Sequence, residues 1–274
     1  ANLAGGGMMQ HLFHWWPHLV PQLEATPHIM LLSDYDGTLT PIVSRPEEAV
    51  LPPEVRAKLR ALVAKPALSV GIISGRALPE VKALVAVDGV YYAGNHGLEI
   101  EGPHLSYINP IATASRALLE ELARKLSERL GHIEGVIIED KGLSLSVHYR
   151  LVRESDQAQA AQIFAQVTSP QLERGRIRVT SGKKVWEVRP PIDWHKGKAV
   201  ETIVREIKAS LSLRQALSIY LGDDLTDEDA FRAVHRLGGW SILVGQENPL
   251  SQASLFLDSP VQVSAFLSRL LELK

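Results

Sequence analysis

The chain has 274 residues, with 29 Lys and Arg against 31 Asp and Glu, a formal net charge of −2. That length can bury a core without a disulfide or a zinc staple, and the balanced charge gives no electrostatic ground for a nucleic-acid or anionic-membrane partner. There is no cysteine, which excludes disulfides, thiolate metal ligands and cysteine nucleophiles and fits a reducing, cytoplasmic setting.

The opening stretch, ANLAGGGMMQ, lacks the basic and apolar regions of a secretory signal. No apolar run reaches the ~20 residues that span a bilayer. The segment that follows, HLFHWWPHLVPQL, reads as a short aromatic surface helix laid on the core. Apolar runs then alternate with segments of helical period. HIMLLS (28–33), LSVGIIS (68–74) and GVYYAG (89–94) read as buried strands. Between them PPEVRAKLRALVAK (52–65) carries apolar Val55, Leu59, Leu62 and Val63 behind a first-turn proline, and LPEVKALVA (78–86) is a short helix. This alternation predicts parallel strands joined by right-handed crossovers.

The middle of the chain changes character. A helix over 111–131 precedes two strands, 135–140 and 143–150, around Lys141-Gly142. A helix over 154–169 precedes two more, 176–181 and 184–190, around Gly182-Lys183. The α/β pattern resumes with a helix at 196–210, a strand at 217–223, a helix at 226–237 capped by Thr226, a strand at 240–245 and a closing helix at 259–274. The expected architecture is an α/β, Rossmann-like parallel-sheet core over 1–106 and 189–274, split by an α+β insert over 107–188.

Open α/β sheets bind ligands beyond the carboxyl ends of their strands. Three strands here end in polar clusters, SDYDGT (33–38), SGR (74–76) and GDDLTDED (222–229), and HKGK (195–198) opens a helix. If the strands are neighbours, the clusters meet at one edge. Asp34 and Asp36 repel each other and add nothing to a core, but with Asp223 they could share a hard divalent cation. A carboxylate on a strand tip can attack phosphorus. Asp36, on the same side of the chain, could protonate the leaving oxygen. Thr38 and Ser74 could hydrogen-bond phosphoryl oxygens, and Lys196 would add a cation.

These residues resemble the motifs of the haloacid dehalogenase superfamily. DYDGT fits its D-x-D-G-T signature, SGR its second motif, Lys196-Gly197 its third and GDDLTDED its fourth. Across about residues 29–245 the chain is similar, more finely, to trehalose-6-phosphate phosphatases, through DYDGTLTPIV, GNHGLEI (94–100), HYR (148–150), WEVRP (186–190) and GDDLTDEDAF (222–231). The resemblance implies a haloacid dehalogenase core with an α+β cap, Mg2+ and an aspartyl-phosphate intermediate. It makes Asp34 the nucleophile and Asp36 the general acid/base. Asp34, Asp223 and the backbone carbonyl of Asp36 would hold the metal, supported by Asp227, with Asp224 acting through water. Lys196 is taken over Lys198 because it precedes Gly197. By position the cap's sugar contacts fall on Glu139, Lys141, Arg150, Lys183 and Glu187, with Arg76, Asn95 and His96 on the core side. His148 and Trp186 are read as cap packing.

The implied reaction is hydrolysis of trehalose 6-phosphate, the last step of trehalose biosynthesis. It brings a small-molecule sugar phosphate as substrate and a trehalose-phosphate synthase as a candidate partner. The proline-rich stretches 101–110 and 188–197 read as hinges that let the cap close. Competing readings are a phosphatase of sucrose-, mannosylglycerate- or glucosylglycerol-type phosphates, a phosphomutase, and a catalytically silent regulatory domain. Against the last stands the full set Asp34, Asp36, Ser74, Lys196 and Asp223.

Overall fold

A computed structural model describes residues 9–273; the start of ANLAGGGMMQ, on which the signal-peptide reading falls, lies outside them. After β1 (Gln10–His11) comes α1 (Leu12–Ala25), which buries Leu12, Leu19 and Leu23. Phe13, Trp15 and Trp16 lie partly covered on the same cluster, so the aromatic segment is a helix packed on the core. In β2 (Ile29–Ser33) every residue is buried. Ile29 and Leu31 enter one apolar layer, Met30 and Leu32 the other. A strand with helices on both faces needs no polar side. Next come α2 (Pro53–Val63), β3 (Leu68–Ile73), α3 (Leu78–Val85) and β4 (Tyr91–Gly94).

The division between the two units falls within the proline-rich stretch 101–110, at Tyr107 and Ile108. The stretch lies mostly in two strands of the main sheet, β5 (Glu99–Gly102), antiparallel to β4, and β6 (Leu105–Ile108). Its prolines mark the turn between these strands and the first residue of the next helix, positions that need no free N–H.

The predicted helix over 111–131 is two, α4 (Pro110–Ala114) and α5 (Arg116–Leu130). They meet at Ser115, whose hydroxyl donates to the Ile111 carbonyl, a side-chain bond that competes with the regular helical pattern. Then follow β7 (Ile137–Asp140), β8 (Leu145–His148), α6 (Glu154–Glu173), β9 (Arg178–Gly182) and β10 (Val185–Arg189). The four strands form an antiparallel sheet in the order β7-β8-β10-β9. Both of its tight turns sit one residue later than predicted. Asp140 pairs with Leu145 and Val185 with Gly182, which centres the turns on Gly142-Leu143 and Lys183-Lys184. Gly142, at φ +79°, takes the first central position, where primed hairpin turns need a positive φ. One sheet face, with Leu145, Val147, Trp186 and Val188, packs on α5 and α6.

The chain returns through α7 (Lys196–Ser210), β11 (Leu217–Gly222), α8 (Glu228–Arg236), β12 (Trp240–Val244), β13 (Leu255–Leu257) and α9 (Pro260–Glu272). Thr226 is not the cap: it lies within a 3-10 turn that Asp224 caps, and the N-cap position of α8 is Asp227. Asp224 and Asp227 form a reciprocal capping box around a 3-10 turn, Leu225–Asp227. The main sheet runs β1-β13-β12-β11-β2-β3-β4-β5-β6, parallel from β1 to β4. The three motif-bearing strands are thus neighbours, with Ser33 of β2 in register with Leu221 of β11 and Ile72 of β3. Among the described residues no helix is long and apolar enough to cross a membrane. The chain divides into two units, one running to Tyr107 and resuming at Trp194, the other Ile108–Asp193.

Candidate active site

Beyond the tip of β2, Asp34 meets two acids from the tip of β11. Asp34, Asp223 and Asp227 each offer a carboxylate oxygen, all within 4.8 Å of one another. Two glycines permit this crowding. A Cβ on Gly37, which sits at φ +73°, would stand 2.2 Å from Asp223 Oδ2, and one on Gly222 would stand 2.3 Å from Asp227 Cγ. Lys196, the first residue of α7, is buried with its Nζ 3.0 Å from Asp34 Oδ2 and 2.8 Å from Asp227 Oδ1. Lys198 is exposed.

Asp227 accepts four hydrogen bonds. Lys196 Nζ and the Tyr220 hydroxyl (2.7 Å) donate to Oδ1, and the backbone amides of Asp223 and Asp224 donate to Oδ2 at 3.0 Å each. It therefore fixes the turn that presents Asp223. Tyr220 was not foreseen as part of the site. The available signal was a tyrosine inside a fully buried strand, since a buried phenol needs a partner for its hydroxyl.

Burial, reinforced by the Asp227 charge, raises the Asp34 carboxyl well above the ordinary range, while Lys196 pulls it back. Burial and then Asp227 push Asp223 up to about 7. Burial alone would lower the Lys196 ammonium, but Asp227 and Asp34 outweigh it and hold it charged. Two buried carboxylates, Asp34 and Asp227, and the half-buried Asp223 face one ammonium. That excess of hard, negative oxygen donors is the environment a small divalent cation satisfies, so the residues fit magnesium.

The flanking residues divide into those near the cluster and those engaged elsewhere. Thr38 is buried and its Oγ1 donates to Asp223 Oδ1 at 3.3 Å. Ser74, on the neighbouring tip of β3, accepts the Arg76 amide on its Oγ. Asp36 is turned onto Arg76, whose Nε and Nη2 each donate to its carboxylate at 2.8 Å. Arg76 also binds Glu80 and the Pro46 carbonyl. Asp224 is exposed and caps its turn, outside the acidic trio. Asn95 and His96 both have left-handed backbones, φ 49° and 57°. The His96 amide donates to the Ser74 carbonyl, and the Asn95 side chain donates to Glu99. Two successive non-glycine residues held this way store strain at the tip of β4.

In the smaller unit the face opposite the apolar one is polar. Glu139, Ser146, Glu187 and Thr180 pair across all four strands in one row. Glu139 Oε2 meets His148 Nε2 at 3.0 Å, so His148 belongs to this face rather than to packing. Trp186, on the apolar face, stacks on Tyr149 and Phe164 with centroids at 4.1 and 4.9 Å. Glu187 Oε1 has Lys141 Nζ at 3.5 Å, and Glu187 Oε2 accepts from Arg189. Arg150 is exposed and donates to the Lys183 carbonyl at 3.4 Å.

A parallel sheet that sets a D-x-D-G-T tip between a serine-bearing tip and an acidic one, against a buried helix-borne lysine, has the fold of the haloacid dehalogenase hydrolases. Within them the chain belongs to the trehalose-phosphatase family, whose profile matches residues 32–260, and it is a phosphoric monoester hydrolase. It is 36% identical over 256 residues to the probable trehalose-phosphate phosphatase D of Arabidopsis thaliana, covering 90% of this chain and 68% of that one. It is 38% identical over 254 residues to the trehalose-phosphate phosphatase of Mycobacterium marinum, covering 91% and 63%. The solved C-terminal domain of C. albicans trehalose-6-phosphate phosphatase matches it with a TM-score of 0.81 at 25% identity, over 97% of this chain and 99% of that one.

Proposed function

We propose that the chain hydrolyses trehalose 6-phosphate to trehalose and phosphate, as the last step of trehalose biosynthesis, through an aspartyl-phosphate on Asp34. The observation that carries the chemistry is the buried Asp34 carboxylate in contact with Lys196 beside Asp223. Asp34 and Asp223, with the Asp36 carbonyl, would hold magnesium; Asp227 would support it by orienting Asp223 and Asp224 would act through water, and magnesium there would supply charge neutralisation for the cluster and the phosphoryl oxygens.

An oxygen of Asp34 attacks phosphorus in line, and the bond from phosphorus to the sugar oxygen breaks. Once off the Arg76 fork, Asp36 takes a proton from solvent and gives it to that oxygen. It then takes a proton from the water that attacks phosphorus, which frees phosphate and regenerates Asp34. In this reading Arg76 holds Asp36 between turnovers, and Asp36 leaves the Arg76 fork to meet the substrate. Lys196 and the hydroxyls of Thr38 and Ser74 stabilise the transferring group. The strained Asn95-His96 turn braces the serine-bearing tip.

Glu139, Lys141 and Glu187 on the polar sheet face, together with Arg150 and Lys183, bind sugar hydroxyls. Carboxylates accept several such bonds, and the cations donate. A trehalose-phosphate synthase supplies the substrate and is the partner in sequence.

The test is phosphate release with magnesium from trehalose 6-phosphate, sucrose 6-phosphate, glucose 6-phosphate and glucosylglycerol phosphate, with Asp34→Asn as the blank. The expected result is strong preference for trehalose 6-phosphate, lost in the blank and with chelator. Preference for another member would keep the chemistry and discard the sugar assignment. Equal release from the Asp34→Asn variant would overturn the covalent route.

A further inference from the structure

We propose that Arg189, to which the sequence assigns no role, is a positioning residue that fixes Glu187 for the sugar. The inference rests on the reading of Glu187 as a sugar contact. Alternation along β10 puts Glu187 and Arg189 on the polar face, while Val188 between them is buried in the apolar one. Arg189 Nε donates to Glu187 Oε2 at 3.0 Å, and Nη2 donates to the same oxygen. The other oxygen, Oε1, faces Lys141 Nζ and Ser146 Oγ, each at 3.5 Å.

The guanidinium therefore clamps the carboxylate at Oε2. The side chains of Arg189 and Glu187 are only 19% and 16% exposed, so solvent screens the pair less than it would a surface pair. Two consequences follow for recognition. A glutamate with a fixed rotamer loses little further freedom when a ligand arrives. A glutamate paired with guanidinium is ionised and accepts hydrogen bonds only, which matches the donor side of a sugar hydroxyl. Arg189 thus acts on binding through Glu187 without touching the reacting phosphoryl group. Lysine at 189 would keep the charge but lose the fork that puts two N–H groups on one oxygen.

The experiment compares the wild type, Arg189→Lys, Glu187→Gln and the double variant, each full-length and checked for folding by circular dichroism. KM and kcat are measured on trehalose 6-phosphate, and turnover on p-nitrophenyl phosphate, which has no sugar. Arg189→Lys is expected to raise KM for trehalose 6-phosphate about tenfold with little change in kcat, because ground and transition states lose the same contact. It should leave p-nitrophenyl phosphate unchanged and add no further rise to Glu187→Gln, since the two residues act as one unit. An unchanged KM, an equal loss on both substrates, or a full effect in the Glu187→Gln background would each overturn the proposal. A Glu187→Gln variant with wild-type KM would show instead that the reading of Glu187 fails, and the role of Arg189 falls with it.

Discussion

The acidic cluster of the larger unit and the polar sheet face of the smaller one use the same residue types under opposite conditions. Asp34, Asp227 and Lys196 are almost wholly buried, each carboxylate is set by backbone geometry, and Gly37 and Gly222 leave no room for adjustment. Glu139 and His148, by contrast, are each 27% exposed and stand on the sheet face opposite the apolar cluster. A buried charge is costly unless its partners are in place, so the first region tolerates almost no change. The second is graded: Glu139 and His148 can exchange hydrogen-bond partners at small cost, while Glu187 and Lys141, 16% and 8% exposed, are held more firmly. Under the proposed function, chemistry common to many substrates falls to the first region and selection among them to the second.

The sharpest way to break this division is Asp34→Asn. Turnover should fall at least about a thousandfold on trehalose 6-phosphate and p-nitrophenyl phosphate alike, since a nucleophile lost is lost for every substrate. Circular dichroism should be unchanged. A loss confined to the sugar phosphate would erase the distinction between the regions. Gly37→Ala comes next. The new methyl would collide with Asp223 and force an unfavourable positive φ on alanine, a strain of about 1–3 kcal/mol. The expected result is about a hundredfold fall in kcat on both substrates with a lowered melting temperature; wild-type activity would show that the strand tip has slack.

The same contrast explains what could be read from the sequence. The cluster's residues fall in short contiguous runs at strand ends, and a continuous apolar run such as 29–32 signals a strand covered on both sides. Residue spacing does not contain adjacency of the strands, which β-pairing supplies: Asp34 and Asp223 lie far apart in the chain and meet because β2 and β11 pair. Tyr220 was hidden because its hydroxyl contact spans seven residues, from β11 past the turn. On the polar face Glu139, Lys141 and Glu187 were named from family blocks, whereas Arg189 and Ser146 depend on cross-strand register, and the turns that set that register were predicted one residue early. The strands 10–11 and 255–257 were too short to give any alternation.

Lys141→Gln probes the second region alone. Lys141 Nζ stands 3.5 Å from Glu187 Oε1, and the variant keeps a donor without the charge. KM for trehalose 6-phosphate should rise about fivefold, within the range of one ordinary hydrogen bond because the variant keeps a donor, while p-nitrophenyl phosphate turnover stays at the wild-type value. A fall in both would place Lys141 in the chemistry.

The smallest expected effect concerns stability and bears on why the acidic cluster needs a cation. In metal-free protein Asp223 is pushed up to about 7 by burial and Asp227, and Asp34 is raised as well. Between the ordinary carboxylate range and about pH 7 the folded state therefore binds more protons than the unfolded chain. Stability then falls as pH rises through that window, because its slope follows the protons bound by the unfolded minus the folded state. With chelator present, the melting temperature should drop between pH 5 and pH 7.5. Asp223→Asn removes one of the raised groups and should flatten the drop by about 1 kcal/mol, or about 2–4 °C in a chain of this size. Magnesium should flatten it in the wild type, because a bound cation favours the ionised carboxylates that pH alone forces together. Identical slopes in the wild type and the variant would mean that Asp223 is already ionised at pH 5, with Lys196 sufficient to balance the cluster.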